Sequence, residues 1–222
     1  MANVDIKAII FDMDGVLIDS EPAWQQAEIA ILNALGLSLT LEDVESTTGF
    51  RIDQVVRYWH QRYPWNNYDN AHTANAIVAE VVNIIRQQGQ VMDGIIATLN
   101  FCQQQGLKIG LATSSPSLII DAVLDKLGIQ HYFEAITSAE CLARGKPHPE
   151  VYLNCATALN IDAENCLAIE DSFNGLIAAR AASMQTIAIP APQLATQAKW
   201  VIAHHQVADA NAITDILKQH YR

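Results

Sequence analysis

Short apolar runs that stop abruptly at polar or turn residues recur four times along this chain. They occupy residues 7–11, 109–112, 166–169 and 186–189, and they end at Asp12, Thr113, Glu170 and Pro190. A run that is apolar at every position is typical of a strand buried on both faces, as in a parallel sheet. The pattern therefore predicts four parallel strands, each with chemistry-bearing or turn residues at its carboxyl end.

Helical periodicity fills the sequence between these runs. Residues 118–127 repeat apolar positions at helical spacing, and Gly128 follows as a candidate C-cap. Residues 150–159 and 174–182 show the same kind of pattern. Strands that alternate with helices form βαβ units, and ligands bind such open sheets outside the carboxyl ends of the strands. We therefore expect the polar strand ends to converge at one edge of the sheet.

The segment 19–89 differs from the rest because it is helical in pattern throughout and contains no convincing strand. It holds three of the four tryptophans, Trp24, Trp59 and Trp65, and a turn is predicted at 63–67. We interpret it as a helical cap domain inserted into an α/β core. The predicted division is residues 1–18 and 90–222 for the core and residues 19–89 for the cap.

Composition and charge narrow the function classes. Half of the 222 residues are hydrophobic, 17% are charged, and the formal net charge is −11. A packed core is expected from this balance, whereas binding to nucleic acid or to an anionic membrane is not, because both require a basic face. The cysteines are scattered, and no apolar leader is evident at the N-terminus. We expect a cytoplasmic monomer whose partner is a small phosphorylated metabolite.

Four carboxylates mark the ends of two predicted strands. Asp12 and Asp14 follow the first strand around a sharp turn, and Glu170 and Asp171 follow the third. Asp14 with Gly15 could be only a solvated turn, since this dipeptide is common in turns. Four acids in one cleft, however, need a cation or large pKa shifts. Oxygen ligands with open positions suit Mg²⁺.

A second group of residues offers positive charge and hydrogen-bond donors. Thr113, Ser114 and Ser115 end the second strand just before a predicted helix N-terminus, which favours anions. Lys146 lies in a stiff loop between Gly145 and Pro147. An anion site beside a metal site is the arrangement that phosphoryl transfer requires.

These residues identify a resemblance to the haloacid dehalogenase (HAD) superfamily. FDMDGVL at 11–17 resembles its first motif, Thr113 and Ser114 its second, Lys146 in GKPHP its third, and EDS at 170–172 its fourth. The sequences DSEPAW at 19–24, GFRID at 49–53 and PWN at 64–66 resemble the C1-capped, phosphoglucomutase-like subgroup, and within it bacterial 2-deoxyglucose-6-phosphate and hexitol phosphatases. The implied fold is a Rossmann-like parallel sheet with helices on both faces and a small helical cap.

The resemblance also implies a role for each matching residue. Asp12 would be the nucleophile, already ionised at neutral pH, and Asp14 the general acid and base. Mg²⁺, with Mn²⁺ or Co²⁺ as substitutes, would be held by Asp12, the Asp14 carbonyl and Asp171, with Glu170 acting directly or through water. The residues expected to contact the phosphoryl group are Met13, Thr113, Ser114 and Lys146.

Three residues of the cap are candidates for substrate specificity, namely Glu21, Trp24 and Arg51. Each has a structural alternative, since Trp24 could belong to the core, Glu21 could cap a helix, and Arg51 could serve the scaffold. Their aromatic and polar character predicts hexose or hexitol 6-phosphates, including 2-deoxyglucose 6-phosphate, as substrates.

Three other functions compete with hydrolysis. A β-phosphoglucomutase-like mutase would need cap cations for a second phosphate, and the cap has only four arginines and no lysine. A dehalogenase would need neither Asp14 nor the acidic pair Glu170 and Asp171. A non-enzymatic phosphate sensor would not need both Asp12 and Asp14. The sequence therefore favours a Mg²⁺-dependent phosphatase.

Overall fold

Six parallel strands form one sheet in the computed structural model of this chain, which describes residues 5–47 and 50–220. The strand order is β3-β2-β1-β4-β5-β6, so the first strand lies in the middle of the sheet. The strands are β1 (Ala8–Phe11), β2 (Lys108–Thr113), β3 (Ala135–Ser138), β4 (Cys166–Glu170), β5 (Gln185–Ala188) and β6 (His205–Gln206).

Helices occupy most of the remaining chain. They are α1 (Glu21–Ala34), α2 (Leu41–Glu45), α3 (Ile52–Arg62), α4 (Asn70–Gln88), α5 (Ile95–Gln104), α6 (Ser117–Leu127), α7 (Glu150–Leu159), α8 (Phe173–Ala181) and α9 (Ile213–His220). Within the described part of the chain, no helix combines the length and the apolar character that crossing a membrane requires.

Alternate residues of β1 face opposite sides of the sheet, because side chains along a strand have a period of two. Ile9 and Phe11 belong to a large core cluster that also includes residues of α5 and α6. Ala8 and Ile10 belong to a second cluster with residues of α7 and α8. Burial on both faces explains why the strand is apolar at every position, and it confirms the predicted sheet with helices on both sides.

The four predicted strands are all present, and two more occur at the edges of the sheet. β3 lies at one edge with only its first residue, Ala135, buried, and β6 at the other edge has only two residues. An edge strand has one neighbour and one partly exposed face, so its residues do not form the continuous apolar run that marks a central strand. This is why the sequence pattern did not reveal them.

The predicted cap segment contains α1 to α4, and helix α4 packs against α6. The large core cluster runs through both parts, since Trp59 and Ile77 belong to it together with Ile9. Gly49, one of the residues that carry the resemblance, lies outside the described residues. The division of the chain into a core at 1–18 and 90–222 and a cap at 19–89 stays a prediction.

Candidate active site

Lys146 joins two carboxylates at the carboxyl edge of the sheet. Its Nζ lies 2.7 Å from Oδ1 of Asp12 and 2.6 Å from Oε1 of Glu170, and it also donates to the carbonyl of Ala112 at 3.1 Å. The three side chains are nearly inaccessible to solvent, with exposed fractions of 6% for Lys146, 9% for Asp12 and 0% for Glu170. Lysines are rarely buried without charged partners, and the two carboxylates are the partners that allow this loop lysine to be buried.

Glu170 receives donors on both carboxylate oxygens. Oε1 accepts from Lys146 and, at 2.6 Å, from the hydroxyl of Tyr152. Oε2 accepts from the backbone N–H of Ser172 at 3.2 Å and from its hydroxyl at 3.0 Å. A carboxylate has about four acceptor positions, so hydrogen bonds from the protein already fill those of Glu170. Gly175 is required nearby, because a Cβ at that position would overlap the Glu170 carboxylate.

Burial and crowding dominate the electrostatics of this edge. Burial raises the pKa of Asp12 to about 8, the charges of Glu170 and Asp14 add to this effect, and Lys146 opposes it. The pKa of Asp171 is also well above its usual range, because of burial and then the charges of Asp12 and Glu170. Burial alone would lower the pKa of Lys146, yet Asp12 and Glu170 raise it above its ordinary value. The expectation that Asp12 is already ionised therefore holds only if further positive charge joins Lys146.

The acidic residues at this edge fit a hard divalent cation. Carboxylate oxygens of Asp12, Glu170 and Asp171 lie within 4.8 Å of one another. Glu170, whose acceptor positions the protein already fills, adds negative charge to this group rather than a free oxygen. The set contains oxygen ligands alone, as Mg²⁺ prefers, and a cation would relieve the crowding that raises the pKa values. Gly15 lets the Asp14 loop approach Asp171 closely, because its φ is +76° and a Cβ there would overlap the Asp171 carboxylate.

Asp14 lies among three hydroxyl groups that come from two parts of the chain. Ser20, just before α1, donates to its Oδ1, and Ser115 donates to its Oδ2 at 2.6 Å. Thr113 lies 3.5 Å from the same Oδ2. Hydroxyl groups both donate and accept hydrogen bonds. The hydroxyls can therefore form hydrogen bonds with the Asp14 carboxyl group in both its protonated and its ionised form. A group that acts first as an acid and then as a base requires this.

The predicted phosphate-binding residues are near Asp14, in different settings. Thr113 is fully buried, and its Oγ1 accepts from the N–H of Ser115 at 3.0 Å. Ser114 lines the neighbouring cleft. The Met13 side chain is fully buried in the large core cluster, so only its backbone could reach a phosphoryl group.

A cleft of about 660 Å³ opens beside Lys146, between the loop that carries it and the start of α3. A second described cavity, of about 470 Å³, lies beside residues such as Lys7 and Asn165, which flank the amino ends of the strands. The larger cleft is lined by Phe50, Arg51, Gln54, Ser114, Ala139, Ala143, Arg144, Gly145, Lys146, Pro147, His148, Pro149 and Asn174.

Arg51 links the two walls of this cleft. Its guanidinium pairs with Asp53 through Nε at 2.5 Å and Nη2 at 3.0 Å, and Nη1 reaches the carbonyl of Leu142 at 3.3 Å. Asp53 is therefore the partner that balances the charge of Arg51. Leu142 belongs to the same loop as Lys146, so Arg51 spans from the predicted cap to that loop.

The other two specificity candidates lie on α1. Trp24 is partly buried against the large core cluster, and Glu21 accepts a hydrogen bond from Gln25 at 2.9 Å. Glu28, about two turns along α1 from Glu21, is buried. Burial and then the charge of Glu21 raise its pKa to about 8, and Thr47 opposes this effect. Among the described residues, its Oε2 has no hydrogen-bond partner.

Sequence reasoning missed four residues of this neighbourhood, namely Ser20, Ser115, Tyr152 and Ser172, in their present roles. Ser20 and Ser172 could have been suspected, because each immediately precedes a helix at a motif. Tyr152 gives no such signal, since a tyrosine in an apolar helical pattern is typical of a core position. Glu28 was missed for the same kind of reason, because helical spacing does not say which polar residue will be buried.

Comparison with known proteins shows which family this chain is similar to. Residues 6–183 match the family of haloacid dehalogenase-like hydrolases. The chain is also 38% identical over 210 residues to hexitol phosphatase B of Escherichia coli K12, and the match covers 94% of this chain and 95% of that protein.

Two solved structures share the fold over nearly the whole chain. CbbY from Rhodobacter sphaeroides, in complex with phosphate, has a TM-score of 0.85 at 22% identity, with 94% of this chain and 96% of that chain covered. A β-phosphoglucomutase from Clostridium difficile has a TM-score of 0.82 at 25% identity, with 97% of both chains covered.

Proposed function

Because this chain belongs to the haloacid dehalogenase-like hydrolases and is a phosphatase, we propose that it is a Mg²⁺-dependent sugar phosphatase that works through an aspartyl-phosphate on Asp12. The observation that carries the proposal is the buried ion pair between Lys146 and Asp12, at 2.7 Å, beside an open cleft. A lysine that holds a strand-end carboxylate in place while facing a cleft suits attack on a phosphoryl group.

In the first step, a carboxylate oxygen of Asp12 forms a bond to phosphorus. The bond from phosphorus to the sugar oxygen breaks, and Asp14 gives its proton to that oxygen, so that the alcohol leaves. Asp14 suits this role because Ser20 and Ser115 can satisfy either of its protonation states. Lys146 offsets the repulsion between the anionic substrate and the carboxylate.

In the second step, a water oxygen forms a bond to phosphorus while the bond to Asp12 breaks. Asp14 takes the proton that the water loses, which returns the enzyme to its starting state and releases inorganic phosphate. Thr113 and Ser114 would hold the phosphoryl oxygens in both steps, together with Lys146 and the backbone of Met13.

The proposed metal ligands are the carboxylates of Asp12 and Asp171 and the backbone carbonyl of Asp14, with Glu170 in the same acidic group. Mg²⁺ bound there would add positive charge next to the reacting phosphoryl group. With that charge present, the pKa of Asp12 falls and its carboxylate is ionised when the substrate arrives.

The 38% identity to hexitol phosphatase B supports a sugar or sugar-alcohol phosphate as the substrate. The cleft agrees with a neutral, hydroxyl-rich leaving group, since Phe50, Arg51 and Gln54 line its α3 side. Aromatic faces pack against the C–H edges of sugars, and polar side chains meet hydroxyls. We propose hexose or hexitol 6-phosphates, including 2-deoxyglucose 6-phosphate.

The second candidate function is a phosphosugar mutase, which the likeness to β-phosphoglucomutase favours. A mutase must hold a second phosphate away from Asp12. Among the described residues of segment 19–89, Arg51 is the cation that lines the cleft, and Asp53 already pairs with it. The cap side of the cleft therefore offers little charge to a second phosphate, which favours hydrolysis, although Arg144 also lines the cleft from the loop that carries Lys146.

The test is a panel of sugar, polyol and nucleotide monophosphates and sugar bisphosphates, assayed with Mg²⁺ for released phosphate. We expect a hexose or hexitol 6-phosphate to give the highest kcat/KM. Interconversion of isomers that needs a bisphosphate primer would identify a mutase instead. A nucleotide or bisphosphate as the clear best substrate would overturn the sugar-phosphate assignment and leave the phosphatase chemistry in place.

A further inference from the structure

The three protons of the Lys146 ammonium group all have acceptors in this structure. Asp12 and Glu170 accept two of them at 2.7 and 2.6 Å, and the carbonyl of Ala112 accepts the third at 3.1 Å. The position of Nζ between Asp12 and Glu170 therefore depends on how firmly each acceptor is itself held.

Tyr152 supports Glu170 at the oxygen that Lys146 uses. Its hydroxyl donates to Oε1 of Glu170 at 2.6 Å and lies 3.4 Å from Nζ of Lys146. The ring of Tyr152 lies under the same ammonium group, 4.9 Å from Nζ to the ring centroid. Tyr152 is fully buried in the first turn of α7, directly after the loop that carries Lys146.

We propose that Tyr152 is a positioning residue for phosphoryl transfer, which holds Glu170 by its hydroxyl and so fixes Lys146 against Asp12. This inference rests on the proposed function of the same site. Tyr152 acts through Glu170 and Lys146, and it does not contact the reacting atoms. A tyrosine hydroxyl takes part of the negative charge of Glu170, so that the attraction of Lys146 to Glu170 does not draw it away from Asp12.

The change Tyr152→Phe isolates the hydroxyl, because the ring and its packing stay in place. Without the hydroxyl, Oε1 of Glu170 keeps Lys146 as its remaining donor, and the ammonium group is drawn towards it and away from Asp12. We expect kcat for the best sugar phosphate to fall about 10-fold or more, the effect of losing a hydrogen bond to a charged group. KM should change by less than about threefold, since the hydroxyl does not touch the substrate.

The matched control is Tyr132→Phe, which removes a tyrosine hydroxyl that donates to Asn100 at 2.8 Å in an exposed contact outside the site. Tm of both variants and of the wild type reports any effect on the fold. If Tyr152 had only a structural role, Tm would fall while kcat of the folded protein stayed at the level of the control.

A crystal structure of Tyr152→Phe tests the inference without any assay of activity. We expect Nζ of Lys146 to have moved away from Oδ1 of Asp12, and Tyr132→Phe crystals to keep the wild-type contact. The inference is overturned if Lys146 keeps both carboxylate contacts unchanged in Tyr152→Phe, or if kcat of that variant equals kcat of Tyr132→Phe. Wild-type protein that hydrolyses no phosphate ester would refute the proposed function instead, and the crystal structures would still decide the role of Tyr152.

Discussion

At the scale of single residues, Lys146 and Asp12 show how the fold pairs two buried charges that are distant in the sequence. The two groups are 134 positions apart in the sequence and 2.7 Å apart in the fold. Out of water, their attraction is stronger than it would be on the surface, and each unpaired charge would be more costly. The same burial raises the pKa of Asp12 to about 8, so the proposed role of Asp12 as nucleophile requires neighbouring positive charge.

The change Asp12→Asn tests the proposed nucleophile. The amide is nearly isosteric with the carboxylate, and Lys146 keeps Glu170 as a partner, so the fold should persist. We expect kcat to fall by about a thousandfold or more, because the amide cannot form an aspartyl-phosphate. Phosphate release and Tm measure the two effects, and near-wild-type turnover would end the nucleophile assignment.

The change Arg51→Ala tests whether the cleft residue contacts the substrate. If it does, kcat/KM for the best sugar phosphate should fall by ~10-fold or more. In the same variant, kcat/KM for p-nitrophenyl phosphate should scarcely change, because the leaving group of this substrate makes different contacts.

Arg57→Ala is the matched control for this change, since Arg57 lies 4.0 Å from the same Asp53 but has an exposed side chain. Equal losses on both substrates in Arg51→Ala would assign Arg51 to the scaffold, where its bond to the carbonyl of Leu142 would be its role.

At the scale of elements, α1 carries an unexpected buried acid. Glu28 is 8% exposed, and its Oε2 finds no hydrogen-bond partner in residues 5–47 and 50–220. A buried carboxyl group without a counter-charge keeps its proton rather than its charge. This is why the pKa of Glu28 rises to about 8 from an ordinary value of 4.5.

The raised pKa of Glu28 predicts a pH dependence of stability. Between pH 4.5 and about pH 8 the folded protein holds a proton on Glu28 that the unfolded chain has lost. The free energy of unfolding should therefore decrease as pH rises through this window. In Glu28→Gln this decrease should be smaller, because the amide does not titrate.

Denaturant unfolding of the wild type and of Glu28→Gln at several pH values measures the difference. The control is Glu45→Gln, which changes an exposed glutamate at the end of α2. A difference between wild type and Glu28→Gln that stays constant across the window would contradict the buried, protonated state of Glu28.

At the scale of the whole molecule, the sheet brings together the strand ends that the chain order separates. β1 lies between β2 and β4, so the polar residues after these three strands meet at one edge. The acidic members of this edge, Asp12, Glu170 and Asp171, carry more negative charge than Lys146 balances. A bound divalent cation should therefore stabilise the folded protein as well as support turnover.

The metal prediction concerns both stability and activity. EDTA should abolish turnover and lower Tm, and added Mg²⁺ should restore both turnover and Tm. Ca²⁺ should raise Tm without supporting turnover, because its larger and looser coordination misplaces the reacting groups.

The variant Asp171→Asn should lose most of the Tm response to Mg²⁺. The control variant Asp162→Asn changes an exposed aspartate just before the amino end of β4 and should keep that response. Turnover that survives exhaustive chelation would contradict the proposed site.

The sequence by itself determined the elements and the places where chemistry could occur. The buried strand β1 is apolar throughout, and β4 is apolar up to Glu170, because both faces of each strand are covered. Helices such as α7 follow from local periodicity. The motif residues at the strand ends could also be chosen from the sequence, since parallel strands place their carboxyl ends at one edge. These features depend on residues close together in the chain.

Only the tertiary structure decided which side chains meet and which are buried. The hydroxyl of Tyr152 on Glu170, the pairing of Ser115 with Asp14, and the buried position of Glu28 have no local signature. Each depends on the register of strands and on the packing of segments far apart in the chain. The physical reason is that periodicity fixes the face on which a side chain lies, whereas its partners and its dielectric surroundings come from what the fold places opposite that face.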